Sequence, residues 1–199
     1  MLNQLVPYSQ PFEIFSKWLS DAKNNSQIVE PTAMCLSTIS VKNTPSSRMV
    51  LLKKFDEKGF CFYTNFNSKK GQELKLNQVA ALCFYWGALG RQVRIEGEVA
   101  NVSNEEADQY FASRHRESQI GAWASLQSAK MNEVTDFSKR IAEFSEKFAN
   151  IEVPRPENWS GFRVKPNLIE FWQEKEFRLH ERDLYEITAK GWYLNKLYP

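Results

Sequence analysis

The chain's 199 residues suit one domain, and 42% hydrophobic with 25% charged residues suffice for a buried core without disulfides or structural metal. A net charge of +2, with Lys and Arg spread along the chain, gives no electrostatic case for nucleic acid or an anionic membrane. Three cysteines (Cys35, Cys61 and Cys83) without CxxC spacing, and only two histidines, argue against a disulfide framework and a zinc site and fit the reducing cytoplasm.

Residues 1–11 lack the basic-then-apolar order of a signal peptide, and no run of about 18 apolar residues offers a membrane span. Residues 11–22 read as a first helix, with Pro11 early and Phe15, Trp18, Leu19 and Ala22 at helical spacing. Strands follow at 33–39, 49–55 and 60–64, with turns at 43–46 and at Asp56-Glu57-Lys58-Gly59. A short polar helix is expected over 68–76, then buried strands over 79–86 and 92–102. Ser103 and Glu106 form a capping box for a helix carrying Ala107, Tyr110 and Phe111. Two more helices are predicted, over 117–124 and 132–148, the second with Val134, Phe137, Ile141, Phe144 and Phe148 on one face. Residues 153–156 form a proline-marked linker, and strands return at 162–164, 168–173, 177–187 and 192–197. Strands, then helices, then strands predict an α+β, mainly β protein: an antiparallel barrel or sheet with helices at its side.

No Gly-rich dinucleotide loop, GK[ST] loop, GxSxG or HExxH is present, so a cofactor would rest on side chains and strand backbone. Arg48 and Lys53 flank an apolar run and, on a continuous strand, point to opposite faces; the alternative is a strand with solvated basic ends. Tyr63, Thr64, Asn65, Ser68, Lys69 and Lys70 precede or open a helix, where an anion is favoured; a solvated helix start is the alternative. Gln92, Arg94 and Glu96 share a strand face; the amide suits a heterocycle edge, whereas Arg94 and Glu96 suit ion pairing. Tyr110, Arg114 and Ser118 fall on one stripe if the helix persists, a phosphate-pocket chemistry that also reads as a plain polar face. Arg178, His180 and Arg182 share one side of a strand over 177–187, a row whose repulsion an anion relieves; His115 reads as a surface or helix-end residue.

In this order the segments resemble pyridoxamine 5'-phosphate oxidase. The marks are RMVLLK (48–53), FYTN (62–65), RQVRIEG (91–97), SRHRESQIGAWAS with QS (113–125 and 127–128), GFRV (161–164), IEFWQ (169–173) and RLHER (178–182). The resemblance runs from about residue 11 to 199, and seven collinear motifs are hard to reach by chance. It implies an FMN-binding split β-barrel, antiparallel, working as a homodimer with the flavin at the subunit interface, which also accounts for an aromatic content of 14%. It implies one unit over 1–199, with a short arm over 1–10 and C-terminal strands over 159–199 completing the site. The implied reaction is oxidation of pyridoxine or pyridoxamine 5'-phosphate by O2 to pyridoxal 5'-phosphate and H2O2, with no nucleic acid, membrane or metal.

The resemblance assigns FMN to Arg48, Met49, Val50, Leu51, Leu52, Lys53, Tyr63, Thr64, Lys69, Lys70, Gln92, Gln127, Ser128, Trp172 and Arg182. It assigns the substrate phosphate to Lys53, Tyr110, Arg114 and Ser118, and the substrate ring to Arg178 and His180, the pair nearest the chemistry. The chain departs from the pattern in its short N-terminal arm, in His115 for proline, in Lys69 and Lys196 for arginine, in Glu181 for aspartate, and in Glu174-Lys175 where a glycine is favoured. A non-catalytic FMN- or pyridoxal-phosphate-binding protein is the alternative reading; a split-barrel reductase lacks any nicotinamide motif.

Overall fold

The computed structural model describes residues 4–199. Every strand pairing is antiparallel. The strands are β1 (Gln4–Val6), β2 (Ala33–Ile39), β3 (Pro45–Leu51), β4 (Lys54–Asp56), β5 (Gly59–Asn65), β6 (Val79–Trp86), β7 (Arg91–Asn101), β8 (Trp159–Gln173), β9 (Glu181–Thr188) and β10 (Gly191–Lys196). The helices are α1 (Gln10–Lys23), α2 (Lys69–Leu76), α3 (Asn104–Ala112), α4 (Arg116–Ala124) and α5 (Asp136–Lys147).

The long strand β8 splits the sheet. One edge pairs with β7 along its length; the other pairs first with β5, from Trp159 to Val164, then with β9, from Leu168 to Gln173. Two separate strands were expected at 162–164 and 168–173; they are one strand carrying a bulge, because Glu96 opposes Leu168 while Gly97 opposes Pro166. At Gly97 a Cβ would meet the Lys165 carbonyl oxygen at 2.0 Å, so the bulge requires glycine.

Helix α1 closes the barrel core. Its buried residues Phe12, Phe15, Leu19 and Ala22 recur every three or four positions. Phe15 is fully buried and meets the edges of Phe55, Phe60 and Phe84 at centroid distances of 4.9, 4.9 and 5.1 Å. Burying such a ring contributes about 2–3 kcal/mol. A second cluster (Phe111, Ile120, Phe148, Val153 and Trp159) pins the helical layer to the start of β8.

Three further expected elements are corrected, and one unexpected element is added. The strand expected over 49–55 breaks after Leu51: the Leu52 N–H still donates to Thr32 on the β2 side, but the Lys53 N–H donates to Cys61 of β5. The chain thus changes partners there, and Leu52 turns into the core at 4% exposure. The helix expected over 132–148 starts only at Asp136, because the Asp136 carboxylate accepts from the N–H groups of Asn132 and Glu133, and Val134 is left 90% exposed. The strand expected over 177–187 starts at Glu181. Residues 174–180 form an exposed turn in which Phe177 and Arg178 both have positive φ (57° and 63°), so the three-residue cationic row is not a strand face. A short strand, β1, pairs with β10 where no element was expected.

Candidate active site

Five short stretches converge on a cavity of about 600 Å³, within the roughly 300–1,000 Å³ of small-molecule sites. Residues 48–51 and Lys53 form one wall, Tyr63, Thr64 and Lys70 a second, and Tyr110, Arg114, His115 and Ser118 a third, with Gln127 and Trp159 between them. The break after Leu51 is what brings Arg48 and Lys53 into one cavity, although strand alternation alone puts them on opposite faces. Among the described residues the lining holds four permanent cations (Arg48, Lys53, Lys70 and Arg114) and no Asp or Glu.

At one end Lys70 Nζ donates to Gln127 Oε1 (2.8 Å), Thr64 Oγ1 (3.2 Å) and Ser68 Oγ (3.4 Å), all neutral oxygens. Burial lowers its pKa, Arg48 lowers it further, and Glu73 opposes. Ser68 caps α2, accepting from the Gly71 N–H at 3.3 Å.

Arg48 is clamped from behind. Its Nη1 donates to Leu36 O (3.1 Å) and Thr38 Oγ1 (2.5 Å), and its Nη2 to Ser46 Oγ (2.6 Å) and Glu73 Oε2 (3.1 Å). Glu73, 5% exposed, also accepts from Thr38 and Ser46, and Lys69 lies 3.9 Å away. Burial pushes the Glu73 carboxyl up, but the bonds from Thr38, Ser46 and Arg48 outweigh it and hold the pKa below the ordinary value.

At the other end the expected Tyr110–Arg114–Ser118 stripe is replaced by a corner. Helix α3 stops at Ala112 and α4 starts at Arg116, with His115 at its N-cap. All three side chains nevertheless line the cavity, as does His115. Tyr63 and Tyr110 stack at 4.0 Å, and burial pushes the Tyr63 phenol up to about 12, so it stays a neutral donor. Arg114 Nη1 is buried and has no hydrogen-bond partner.

A second patch lies on the β7–β8–β9 sheet. Gln92, Trp172 and Arg182 are register neighbours across three strands, and His180 packs on the Trp172 ring at 4.6 Å. Arg182 binds Glu170 through Nε (2.8 Å) and Nη2 (3.1 Å). Arg94 pairs with Glu170 (3.0 Å) and Glu96 (2.7 Å), the ion-pair role its strand position predicted. Gln92, Trp172, Arg178, His180 and Arg182 are absent from the first cavity's lining. Lys69 and Ser128 line a neighbouring pocket together with Gln127, and Ser128 has a φ of 72°.

Sequence reasoning missed Glu73 and Trp159. Glu73 lies in a helix whose residues read as solvated, and only the fold shows Thr38 and Ser46 closing over it. Trp159 opens β8 beside Asn65 of the FYTN strand, and a single strand-start tryptophan reads as core.

Fold and cavity together define an antiparallel split-barrel protein with a cationic, carboxylate-free cavity of small-molecule size. Residues 20–148 match the family profile described as pyridoxamine 5'-phosphate oxidase, and residues 159–199 match the pyridoxine 5'-phosphate oxidase C-terminal dimerisation region. A pyridoxine/pyridoxamine 5'-phosphate oxidase of Chelativorans sp. is 50% identical over 191 residues, 96% of this chain and 91% of that protein. The protein of the same name from Rhodospirillum rubrum is 50% identical over 194 residues, covering 95% and 96%. The solved structure of PhzG from Burkholderia lata 383, in complex with tetrahydrophenazine-1-carboxylic acid, matches with a TM-score of 0.90 at 28% identity, covering 100% of this chain and 99% of that one. An FMN-binding protein of Nostoc punctiforme shares the fold at a TM-score of 0.76 and 14% identity. The chain belongs to the pyridoxamine 5'-phosphate oxidase family.

Proposed function

We propose that this protein is an FMN-dependent oxidase that converts pyridoxine 5'-phosphate or pyridoxamine 5'-phosphate to pyridoxal 5'-phosphate. Oxygen is the acceptor and H2O2 the by-product; the amine substrate also takes up water and releases ammonia. The observation that carries this reading is the carboxylate-free cavity, with cations at both ends and a buried, unpartnered Arg114 Nη1. A site that leaves the half-buried Lys70 and Arg114 without carboxylate partners is built for anions brought by ligands, here one phosphate on the cofactor and one on the substrate. Relatives at about half identity over nearly the whole chain carry the same activity in their names.

When bound, FMN supplies the hydride-accepting and oxygen-reducing chemistry. Thr64, Lys69, Lys70, Gln127 and Ser128 hold its anionic end, with Arg48 fixed by Glu73. Tyr63 and the 49–51 stretch wall the slot. Lys53, Tyr110, Arg114 and Ser118 hold the substrate phosphate and so orient the ring. The protein works as a homodimer in which Gln92, Trp172 and Arg182 of one protomer complete the cofactor site of the other, and Arg178 and His180 cover the substrate ring and exclude water. Support for this comes from the separation of these five residues from the cavity and from the match of 159–199 to a dimerisation region. We assign one unit over 1–199 and, from the three unpaired thiols, the cytoplasm. No helix among the described residues is long and apolar enough to cross a membrane.

The test is aerobic turnover of pyridoxine 5'-phosphate by purified protein with added FMN, following pyridoxal 5'-phosphate and H2O2 together. Equal yields of both are expected. Bound FMN without product would overturn the oxidase in favour of a binding protein.

A further inference from the structure

Of the described half-buried arginines, Arg48, Arg91, Arg94, Arg155, Arg163 and Arg182 each meet a carboxylate within 3.1 Å. Arg140 meets none but donates to the Ala124 and Trp123 carbonyls at 2.7 and 3.4 Å. Arg114 also meets no carboxylate. Its guanidinium carbon lies 4.7 Å from the Trp159 ring centroid and 5.6 Å from that of Phe111, and Nη1 is buried without a partner. Trp159 is held in turn: it is 6% exposed, it lies nearly parallel to Tyr63 (5.5 Å, 13°) and Tyr110 (6.1 Å, 12°), and Phe111 meets it edge-on at 5.0 Å.

A buried guanidinium must be fixed by something, and a carboxylate would compete with an incoming phosphate for its donors. A ring face fixes the plane of the cation by cation–π attraction and consumes no N–H. We propose that Trp159 is a positioning residue of the substrate-phosphate pocket: its indole face holds the Arg114 fork in place while leaving the donors free for the phosphate. The proposal rests on the pocket reading given above. It separates Trp159 from the other rings of its cluster, which pack the helical layer, and it gives a residue at the start of β8 a part in substrate affinity.

The test compares Trp159→Phe and Trp159→Leu in the wild-type and Arg114→Ala backgrounds, using FMN-loaded dimer. KM and kcat for pyridoxine 5'-phosphate are measured, with equilibrium binding of pyridoxal 5'-phosphate and of unphosphorylated pyridoxal as readouts independent of turnover. Trp159→Leu, which removes the ring face, should raise KM and the pyridoxal 5'-phosphate Kd about tenfold with kcat unchanged. Trp159→Phe, which keeps a weaker face, should raise them about two- to threefold. Pyridoxal binding should not move, and neither substitution should add to the loss in the Arg114→Ala background. Equal losses with Phe and Leu, a loss shared by pyridoxal, or the same loss without Arg114 would each overturn the role. Should Trp159→Leu fail to fold, Trp159→Phe in the two backgrounds decides alone. If Arg114→Ala leaves phosphate-ester affinity unchanged, the pocket reading itself falls and takes this role with it; Trp159 failing while Arg114→Ala weakens binding sinks only the inference.

Discussion

Replacing Glu73 with alanine leaves Arg48 without its counter-charge and strips the hydroxyls of Thr38 and Ser46 of an acceptor. Breaking a buried ion pair by removing one partner costs about 3–5 kcal/mol. Arg48 keeps a fifth of its side chain exposed and retains the Leu36 carbonyl, so the lower end, about 3 kcal/mol, applies. For a chain of this length each kcal/mol moves Tm by roughly 2–4 °C, so thermal unfolding at pH 7, followed by circular dichroism, should show a fall of about 6–12 °C. Glu73→Gln keeps an acceptor and should lose about half as much. The effect also has a sign in pH. The folded pKa of Glu73 lies below the ordinary glutamate value, so its contribution is whole above that value and fades as pH falls through the folded one. The gap between wild type and Glu73→Ala should therefore narrow only in acid. A fall of under about 2 °C at neutral pH, or a gap that closes as pH rises, would refute the view that this carboxylate carries the charge that holds Arg48.

Four further substitutions probe the rest of the protein. Arg114→Ala removes charged hydrogen bonds worth about 1.5–3 kcal/mol and should raise KM for pyridoxine 5'-phosphate about ten- to a hundredfold; an unchanged KM counts against the phosphate pocket. Arg178→Ala and His180→Ala should each cut turnover while leaving flavin absorbance stoichiometric, because both are assigned to the substrate ring and not to the cofactor; loss of flavin from both would reassign them to the cofactor. Gly97→Ala drives a Cβ into the Lys165 carbonyl at the β8 bulge. It should cost about 1–3 kcal/mol, read as a lower urea midpoint, and an unchanged midpoint would mean the bulge shifts freely.

Much of the site was legible in the sequence because its chemistry is carried by short collinear stretches. The 48–53, 63–70 and 110–118 segments each offered cations, the last two with hydroxyls, that could serve a ligand or simply face solvent, and the structure brings residues of all three to one cavity. The period of Phe15, Leu19 and Ala22 foretold α1 and its buried face. Local pattern says little about where a strand changes partner. The break after Leu51 puts Arg48 and Lys53 on one wall, and it arises from hydrogen bonds to Thr32 and Cys61, which are remote in sequence. Likewise the alternation of residues 177–187 suggested a strand, but the hairpin linking β8 to β9 needs positive φ at Phe177 and Arg178.

The sequence by itself determined which residue types could bind a phosphate and in what order they come, since charge and hydrogen-bonding capacity belong to the side chains. Only the tertiary structure decided which cations are neutralised and which are left free. Glu73 reaches Arg48, Glu170 reaches Arg182, and an aromatic ring lies where Arg114 could have had a carboxylate. Such pairings depend on side chains 12 to 45 residues apart along the chain that folding brings within a few ångströms. Burial strengthens each of them by removing the water that would otherwise screen the charges.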